Sequence, residues 1–541
     1  MEGTHTLRSV YANWLARSPD DTMIIEGENR ISVAQFDSLC AQAAAFMAAH
    51  GVSPGDKVAV WVVNRVEWLA LLFGLARVGA TLVAVNTRYR SHELHYILSN
   101  SQASMLVLQP SFHKIDFPEI LQGIDPATLP DLARVVEIDA VDEALTPILG
   151  RPVIALRLSD FGADAVPRTT VDPDAPVVFF TTSGTTRGPK LVMHTQRTLS
   201  AHARDVARGF GFGEPGDALL TALPLCGVFG LNSVLGAMAG GVPVVMMDIF
   251  EDREACRLMA QHRITHMFGS DEMLRRLIAI VSAPVPFPHL RLFGSAAFSP
   301  RFGDLARELI PRGFPLRGLY GSSEVNALFS IQDAILPLDE RVLGGGKPVG
   351  GASVSVRARD PQTGELCAHG VAGEIEIRSP TLFVGYYNNP DATSQAFTPD
   401  GHFRTSDLGY TREDGSFVYL ARMGDTMRLG GFMVDPSEIE QALAEQDGVA
   451  SAQVVGIEID GRLRPVAFVI TKGNPPGAQA LIDAVSARLA AFKVPARIWF
   501  VDAFPATASA NGLKFQRAKM REQAVGLLAS ESSGTDAARG A

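Results

Sequence analysis

Cysteine is scarce in this chain. Cys40, Cys226, Cys256 and Cys367 are the only four in 541 residues, and they form no CxxC pair and no Cys/His pair at metal-ligand spacing. Such spacing excludes a disulfide framework, makes structural zinc unexpected, and reads as reduced thiols in a cytoplasmic protein. The opening MEGTHTLRSVYANW has no basic segment followed by an apolar core, so no secretory signal is expected. Uninterrupted apolar runs are missing as well. Trp68–Val85 is broken by Arg77, and Leu231–Met247 by Asn232, Ser233 and Pro243, so each is expected to be a buried helix followed by a strand rather than an integral membrane segment. Excess positive charge is absent too: the formal net charge is −10, which argues against nucleic acid as a general partner, because a phosphate backbone needs a basic footprint.

Hydrophobic residues make up 47% and charged residues 20% of the chain, an ordinary balance for a globular protein of about two to four domains. Residues 56–108 run DKVAVWVV, NRVEWLALLFGLARVG, ATLVAVN, HELHYILSN and ASMLVLQ. That order of strand, helix, strand, helix, strand predicts right-handed parallel crossovers. The alternation resumes after residue 199 through DALLTALPL, a helix from Leu231, VPVVMM and RLFGSAAFS. The expected fold class is α/β, with a large N-terminal domain of doubly wound sheets. SVSVRAR and EIEIRS mark a small β-rich subdomain, at about 345–422. Beyond MGDTMRLGGFMVDP the pattern is helix, strand, strand, helix, strand, a small α+β domain. The expected division is 1–422, then 423–527, then a disordered tail at 528–541, where SESSGTDAARGA is small and polar.

Val177 to Phe180 reads as a buried strand that delivers TTSGTTRGPK, Thr181 to Lys190. Backbone N–H groups and hydroxyls gathered there, beside Arg187 and Lys190, make a donor surface for an anionic oxygen cluster such as a triphosphate. Composition alone leaves a Ser/Thr-rich surface loop equally open. A Walker A loop is excluded, since Gly188 is followed by Pro189, Lys190 and Leu191. Farther on, Leu319-Tyr320-Gly321-Ser322-Ser323-Glu324 closes an apolar segment. A carboxylate beside hydroxyls suits Mg²⁺, which takes one or two protein oxygens when phosphates supply the others; read alone, Glu324 is a surface carboxylate. Gly211-Phe212-Gly213-Glu214-Pro215-Gly216 matches GxGxxG but follows a helix, contains Pro215 and precedes a strand. That is the wrong order for a dinucleotide fold, and a nicotinamide cofactor is rejected.

TTSGTTRGPK closely resembles the phosphate-loop signature of the adenylate-forming superfamily, the acyl-CoA synthetases, luciferases and adenylation domains of peptide synthetases, with Arg187 and Leu191 where glycines are commoner. Further stretches follow in the family's order. Tyr320 to Glu324 is similar to its Tyr-Gly-x-Thr-Glu motif, with Ser323 in the Thr place, and Arg404-Thr405-Ser406-Asp407 to its Arg-Thr-Gly-Asp, with Ser406 for glycine. Arg422-Met423-Gly424-Asp425 and Gly430-Gly431-Phe432 resemble its hinge and glycine loop, and Gly512-Leu513-Lys514 its C-terminal Gly-Lys motif with one extra residue before the lysine. The likeness spans roughly residues 56–521.

The resemblance implies an ATP-dependent acid–CoA ligase that forms an acyl-adenylate and then a thioester, with Mg²⁺ as cofactor and CoA as co-substrate. It implies that Thr182, Ser183, Gly184, Thr185, Thr186 and Lys190 hold phosphates, while Ser295, Ala296, Ala297, Leu319, Gly321 and Ser322 belong to the nucleotide site. Tyr320 would stack on adenine, Ser323 would touch the α-phosphate, and Glu324 would bind the metal. Asp407 and Arg422 would hold the ribose, Gly424 would be the hinge, and Gly430, Gly431 and Phe432 would line the CoA tunnel. Lys514, with Glu324, would be catalytic. The acyl pocket is placed at Cys226, Gly227, Val228, Phe229 and Ala296, where Pro224 to Gly230 reads PLCGVFG and the family often has Pro-Leu-Phe-His. Small residues at a gate position point to a compact apolar acid, alicyclic such as cyclohexanecarboxylate, or aromatic. A medium-chain fatty acid and a stand-alone adenylation enzyme that loads a carrier protein are the alternatives. A non-catalytic nucleotide-binding protein is the third reading, against which Glu324, Asp407, Arg422 and Lys514 speak. The partners are then a small carboxylic acid, ATP and CoA, with a homodimer left open.

Overall fold

The computed structural model describes the chain except residues 1–4, 114, 141–144, 163–170, 182–188, 282, 284, 297–301, 424–426, 430–431, 435, 461, 474–475, 490, 510–511 and 538–541. It divides into two compact units. The first takes Met1–Ala296, Leu309–Val356 and Ile377–Phe403; the second takes Ala297–Glu308, Arg357–Glu376 and Arg404–Ala541. Residues 404–422, expected with the N-terminal part, therefore group with the C-terminal part. Among the described residues no helix is long and apolar enough to cross a membrane.

The first unit holds two sheets. In one, the strand order is Gly385–Tyr386, Leu191–Thr195, Pro176–Thr181, Thr81–Ala84, Lys57–Trp61, Met105–Leu108, Arg134–Glu137, Val153–Ala155. From Pro176–Thr181 onward the neighbours are parallel, as the alternating pattern of residues 56–108 requires. The other sheet contributes six consecutive parallel strands in the order Leu316–Tyr320, Leu292–Ala296, His266–Ser270, Leu219–Thr221, Val244–Met246, Thr22–Glu26. Both apolar stretches fold as expected into helix and strand. Val66–Val78 ends at Gly79 with φ +83°, and Val228–Gly240 ends at Gly241 with φ +70°, left-handed C-caps that glycine adopts without steric cost. The second helix begins at Val228 rather than Leu231, because Gly227 turns the chain out of the Pro224–Gly227 turn and caps it.

In the second unit, strand Val449–Ile459 pairs antiparallel with Arg462–Thr471, which pairs parallel with Ile498–Phe500. Side-chain alternation gives this sheet two covered faces. Val454 and Val469 pack with Ile439, Leu443, Leu481 and Val485 of helices Pro436–Ala444 and Ala478–Ser486. Val455, Val466 and Phe468 pack with Met520 and Ala524 of helix Arg517–Ala537. That helix runs to Ala537, through part of the segment expected as a tail at 528–541; residues 538–541 lie outside the described residues. Once the buried turns around Met520 and Ala524 nucleate it, each further residue adds a backbone hydrogen bond at little cost, and the small polar residues to Ala537 continue it.

Helices Val33–Ala49 and Val66–Val78 meet at Gly74, where a Cβ would lie 2.7 Å from the Ala43 Cβ and 2.9 Å from the Ala44 backbone nitrogen. Gly74→Val forces the helices apart. Overpacking costs about 1–3 kcal/mol, more than the few tenths gained in helix propensity over glycine, so the denaturant midpoint of the first unit falls. An unchanged midpoint would contradict this packing.

Candidate active site

Open α/β sheets bind ligands at the carboxyl ends of their parallel strands. In the first unit Ala296 and Tyr320 end two such neighbours, with Ser295 opposite Gly318. The chain then reverses: Leu319 pairs with Ile331 and Tyr320 with Ser330, so residues 321–329 form a hairpin loop that carries Glu324. The loop is tight enough that a Cβ on Gly321 would sit 2.4 Å from the Ala327 Cα. The buried hydroxyls of Ser295 and Ser322 find no hydrogen-bond partner among the described residues, which is what a ligand-binding surface leaves for its ligand.

Three successive residues of this loop, Asn326, Ala327 and Leu328, have φ of +65°, +46° and +41°. None is glycine, and each left-handed residue costs roughly 1–2 kcal/mol. The turn persists because its buried carbonyls are tied down. The Ala327 N–H donates to Ser322 O at 2.8 Å, and Phe383 N–H to Glu324 O at 2.9 Å. His194 Nε2 donates to Ser323 O at 2.7 Å, Asn232 Nδ2 to Asn326 O at 2.9 Å, and His202 Nε2 to Ala327 O at 2.9 Å. A carbonyl only accepts, so both imidazoles carry their proton on Nε2. The Asn326 amide in turn donates to Thr381 O at 2.8 Å. Burial holds the His194 ring down to about 4 and the His202 ring down to about 3, against the raising effect of these carbonyls. Both are neutral hydrogen-bond donors at neutral pH.

The Glu324 carboxylate accepts from the Tyr386 hydroxyl at 3.0 Å, and the Lys190 ammonium lies over the Tyr386 ring, 4.4 Å from its centroid. Carboxylate, phenol and ammonium thus follow one another across two strand ends. Lys190 directly precedes strand Leu191–Thr195, whose Val192 pairs with Tyr386. Thr182, Ser183, Gly184, Thr185 and Thr186 lie outside the described residues, as do Ala297, Gly424, Gly430 and Gly431.

Of the expected acyl-pocket residues, Ala296 ends strand Leu292–Ala296, Val228 and Phe229 open helix Val228–Gly240, and Cys226 and Gly227 lie on the turn after strand Leu219–Thr221. Asn64 fixes it: its Oδ1 accepts from Leu225 N–H at 2.7 Å, and its Nδ2 donates to Leu223 O at 2.9 Å and Met247 O at 3.0 Å. Gly230 is required, since a Cβ would fall 2.3 Å from Pro224 O. Cys226, Val228 and Phe229 are buried, and Phe229 packs against Phe268 at 6.1 Å between ring centroids. Burial pushes the Cys226 thiol up to about 12, so it stays protonated and is not a nucleophile.

In the second unit Asp407 and Arg422 face each other in register on strands Phe403–Thr411 and Phe417–Arg422. Arg422 Nη1 donates to Asp407 Oδ1 at 2.8 Å and to Thr405 O at 2.9 Å. Ser406 has φ +57°, a left-handed residue that turns the strand so that Asp407 points into the fold. A glycine would adopt that conformation freely, which gives a physical reason for the one departure in this stretch to be costly but small. Lys514 lies on strand Gly512–Phe515, opposite Thr507 of Ala506–Ser509. Phe432 starts strand Phe432–Val434.

His194, His202, Asn232, Asn326 and Tyr386 are the site residues that sequence reasoning missed. Only Asn232 left a signal, as the polar interruption of an apolar helix.

A pinned carboxylate loop at the ends of parallel strands, beside a lysine that follows a glycine- and hydroxyl-rich segment, defines a nucleotide-using α/β enzyme. Comparison with known proteins specifies the class. The family model for AMP-binding enzymes matches residues 11–387, and that for the AMP-binding enzyme C-terminal domain matches 438–511. The 2-succinylbenzoate–CoA ligase of Geobacillus kaustophilus is 30% identical over 512 residues, 93% of this chain and 96% of that protein. The 3-hydroxybenzoate–CoA ligase of an Aromatoleum species is 29% identical over 515 residues, 93% of each. ATP-bound MatB from Rhodopseudomonas palustris superposes with a TM-score of 0.79 at 26% identity, over 96% of this chain and 99% of that one. The chain belongs to the adenylate-forming AMP-binding enzymes, and among them it is an acid–thiol ligase.

The two neutral histidines set a pH dependence. Their folded values lie below the ordinary 6.5, so the unfolded chain binds more protons as pH falls. Their contribution to stability is complete above pH 6.5 and is lost from there toward pH 4 for His194 and pH 3 for His202, at up to about 1.4 kcal/mol per pH unit for each ring. The denaturant midpoint of the first unit is expected to fall between pH 7 and pH 5; a flat midpoint over that window would contradict it.

Proposed function

We propose that this ligase activates a compact apolar carboxylic acid, aromatic or alicyclic, with ATP and transfers the acyl group to CoA, releasing AMP and pyrophosphate. The observation that carries the reading is the Glu324 carboxylate on its pinned loop, one hydrogen bond from Tyr386 and, across that ring, from Lys190. Relatives named for 2-succinylbenzoate and 3-hydroxybenzoate support an aromatic acid, and small Cys226 and Gly227 beside Val228 and Phe229 support a compact one.

A carboxylate is a poor electrophile because its charge is delocalised, so a leaving group has to be installed first. One oxygen of the acid attacks the α-phosphorus of ATP, the bond to the bridging oxygen breaks, and pyrophosphate departs. The CoA thiolate then attacks the acyl carbon and AMP leaves. Charge spread over the transferring group is stabilised by fixed donors and cations. Lys514 supplies one cation at the α-phosphate, and the 182–186 segment with Lys190 holds the β- and γ-phosphates. Asp407 accepts the ribose hydroxyls beside Arg422. Glu324 fits Mg²⁺: one carboxylate suffices when phosphates complete the shell, and among the described residues no group of three His, Cys, Asp or Glu could hold an ion alone. When bound, the ion neutralises phosphate charge. The 423–527 segment is the catalytic C-terminal domain, with Gly424 as its hinge and residues 430–432 on the CoA path.

Pyrophosphate exchange with benzoate, 3-hydroxybenzoate, cyclohexanecarboxylate and octanoate selects the acid. A ring acid is expected to exchange fastest, and faster exchange with octanoate would overturn the compact-ring reading. Lys514→Ala is expected to slow adenylation about 10²–10³-fold while a supplied acyl-adenylate still yields thioester. Equal loss of both half-reactions would remove Lys514 from the first step.

A further inference from the structure

We propose that His202 is a positioning residue for Glu324, acting through the left-handed turn Asn326-Ala327-Leu328. This rests on the reading of Glu324 as the metal carboxylate. His202 sits in helix Gln196–Gly209 and is 1% exposed. Its Nε2–H donates to Ala327 O at 2.9 Å. Ala327 is the middle of the three residues at positive φ. A run of such residues without glycine relaxes toward negative φ unless its surroundings over-determine it. The other side-chain ties are the Asn232 amide on Asn326 O and the His194 ring on Ser323 O, the carbonyl immediately before Glu324; both precede Ala327. His202 holds the central residue, three positions after the carboxylate. Without it the turn loses the tie on its middle residue and the loop no longer has one fixed path from Ser323 to Leu328.

Burial keeps the ring neutral, so it donates one directional hydrogen bond and brings no charge near the carboxylate. A histidine that merely filled space would be indifferent to the backbone preference of residue 327. A positioning histidine is not: glycine at 327 adopts positive φ without steric cost and should substitute for the tie. The two roles therefore predict different outcomes of the same second substitution, no change for the first and recovery for the second.

The test uses the full chain with ATP and Mn²⁺. Mn²⁺ affinity is read by the loss of the free-ion electron paramagnetic resonance signal, and amide hydrogen exchange is followed over residues 319–331. Partners that orient a metal ligand typically account for about 10–100-fold in metal affinity, and His202→Phe is expected to weaken Mn²⁺ binding by that factor and to speed exchange in 321–329. His202→Gln, which keeps a donor, is expected to retain most of the affinity. Ala327→Gly placed in the His202→Phe background is expected to recover most of what was lost. Should His202→Phe not fold, His202→Asn, whose amide is too short to reach Ala327 O, replaces it with the same expectations. Wild-type Mn²⁺ affinity in the folded variant, or no recovery on adding Ala327→Gly, overturns the proposal. If the wild-type protein binds no Mn²⁺ with ATP, the reading of Glu324 fails and the proposal with it; unchanged exchange in the variant would instead overturn the tie itself.

Discussion

A buried backbone carbonyl must find a donor, and the loop after Tyr320 exposes this requirement at its sharpest. Five of its carbonyls, those of Ser322, Ser323, Glu324, Asn326 and Ala327, each accept from a different group: two backbone amides, two imidazoles and one side-chain amide. Satisfying them fixes the loop in a conformation that the residues themselves disfavour. The donors come from separated parts of the first unit, strand Leu191–Thr195, helix Gln196–Gly209, helix Val228–Gly240 and the segment at Phe383. The sheet order that gathers these elements is therefore also what presents Glu324.

The same elements link the proposed phosphate lysine to the proposed acyl wall. Lys190 enters strand Leu191–Thr195, and four residues on His194 ties the Glu324 loop. Helix Val228–Gly240 begins at the proposed acyl wall, and one turn later Asn232 ties that loop again. The proposed metal carboxylate, phosphate lysine and acyl wall are thus fixed by neighbouring residues of the same two elements. For a reaction whose acceleration rests on charges already in place when the transition state forms, such rigidity is the relevant property.

Much of this was legible in the sequence, for reasons that differ by residue. The alternation of residues 56–108 gave the parallel sheet, because buried strands and amphipathic helices leave distinct periods. Glu324, Lys190 and Asp407 were visible as motif positions, since their chemistry depends on residue type at fixed spacing. The ties were not: His194 lies in an apolar strand and His202 in an ordinary amphipathic helix, and nothing local marks a ring whose partner is more than a hundred residues away. Ser406 read only as a replacement for glycine until its φ of +57° showed what that position demands. The helix to Ala537 was missed because a small polar composition says little once a packed helix has nucleated upstream.

The central claim is that the enzyme joins an acid to CoA through an adenylate. Product analysis by mass spectrometry, with ATP, Mg²⁺, CoA and a ring acid, tests it most directly. Acyl-CoA and AMP are expected in equal amounts, and acyl-adenylate with pyrophosphate when CoA is left out. AMP formation with no thioester in the presence of CoA would contradict it and would direct attention to a carrier protein as the thiol acceptor.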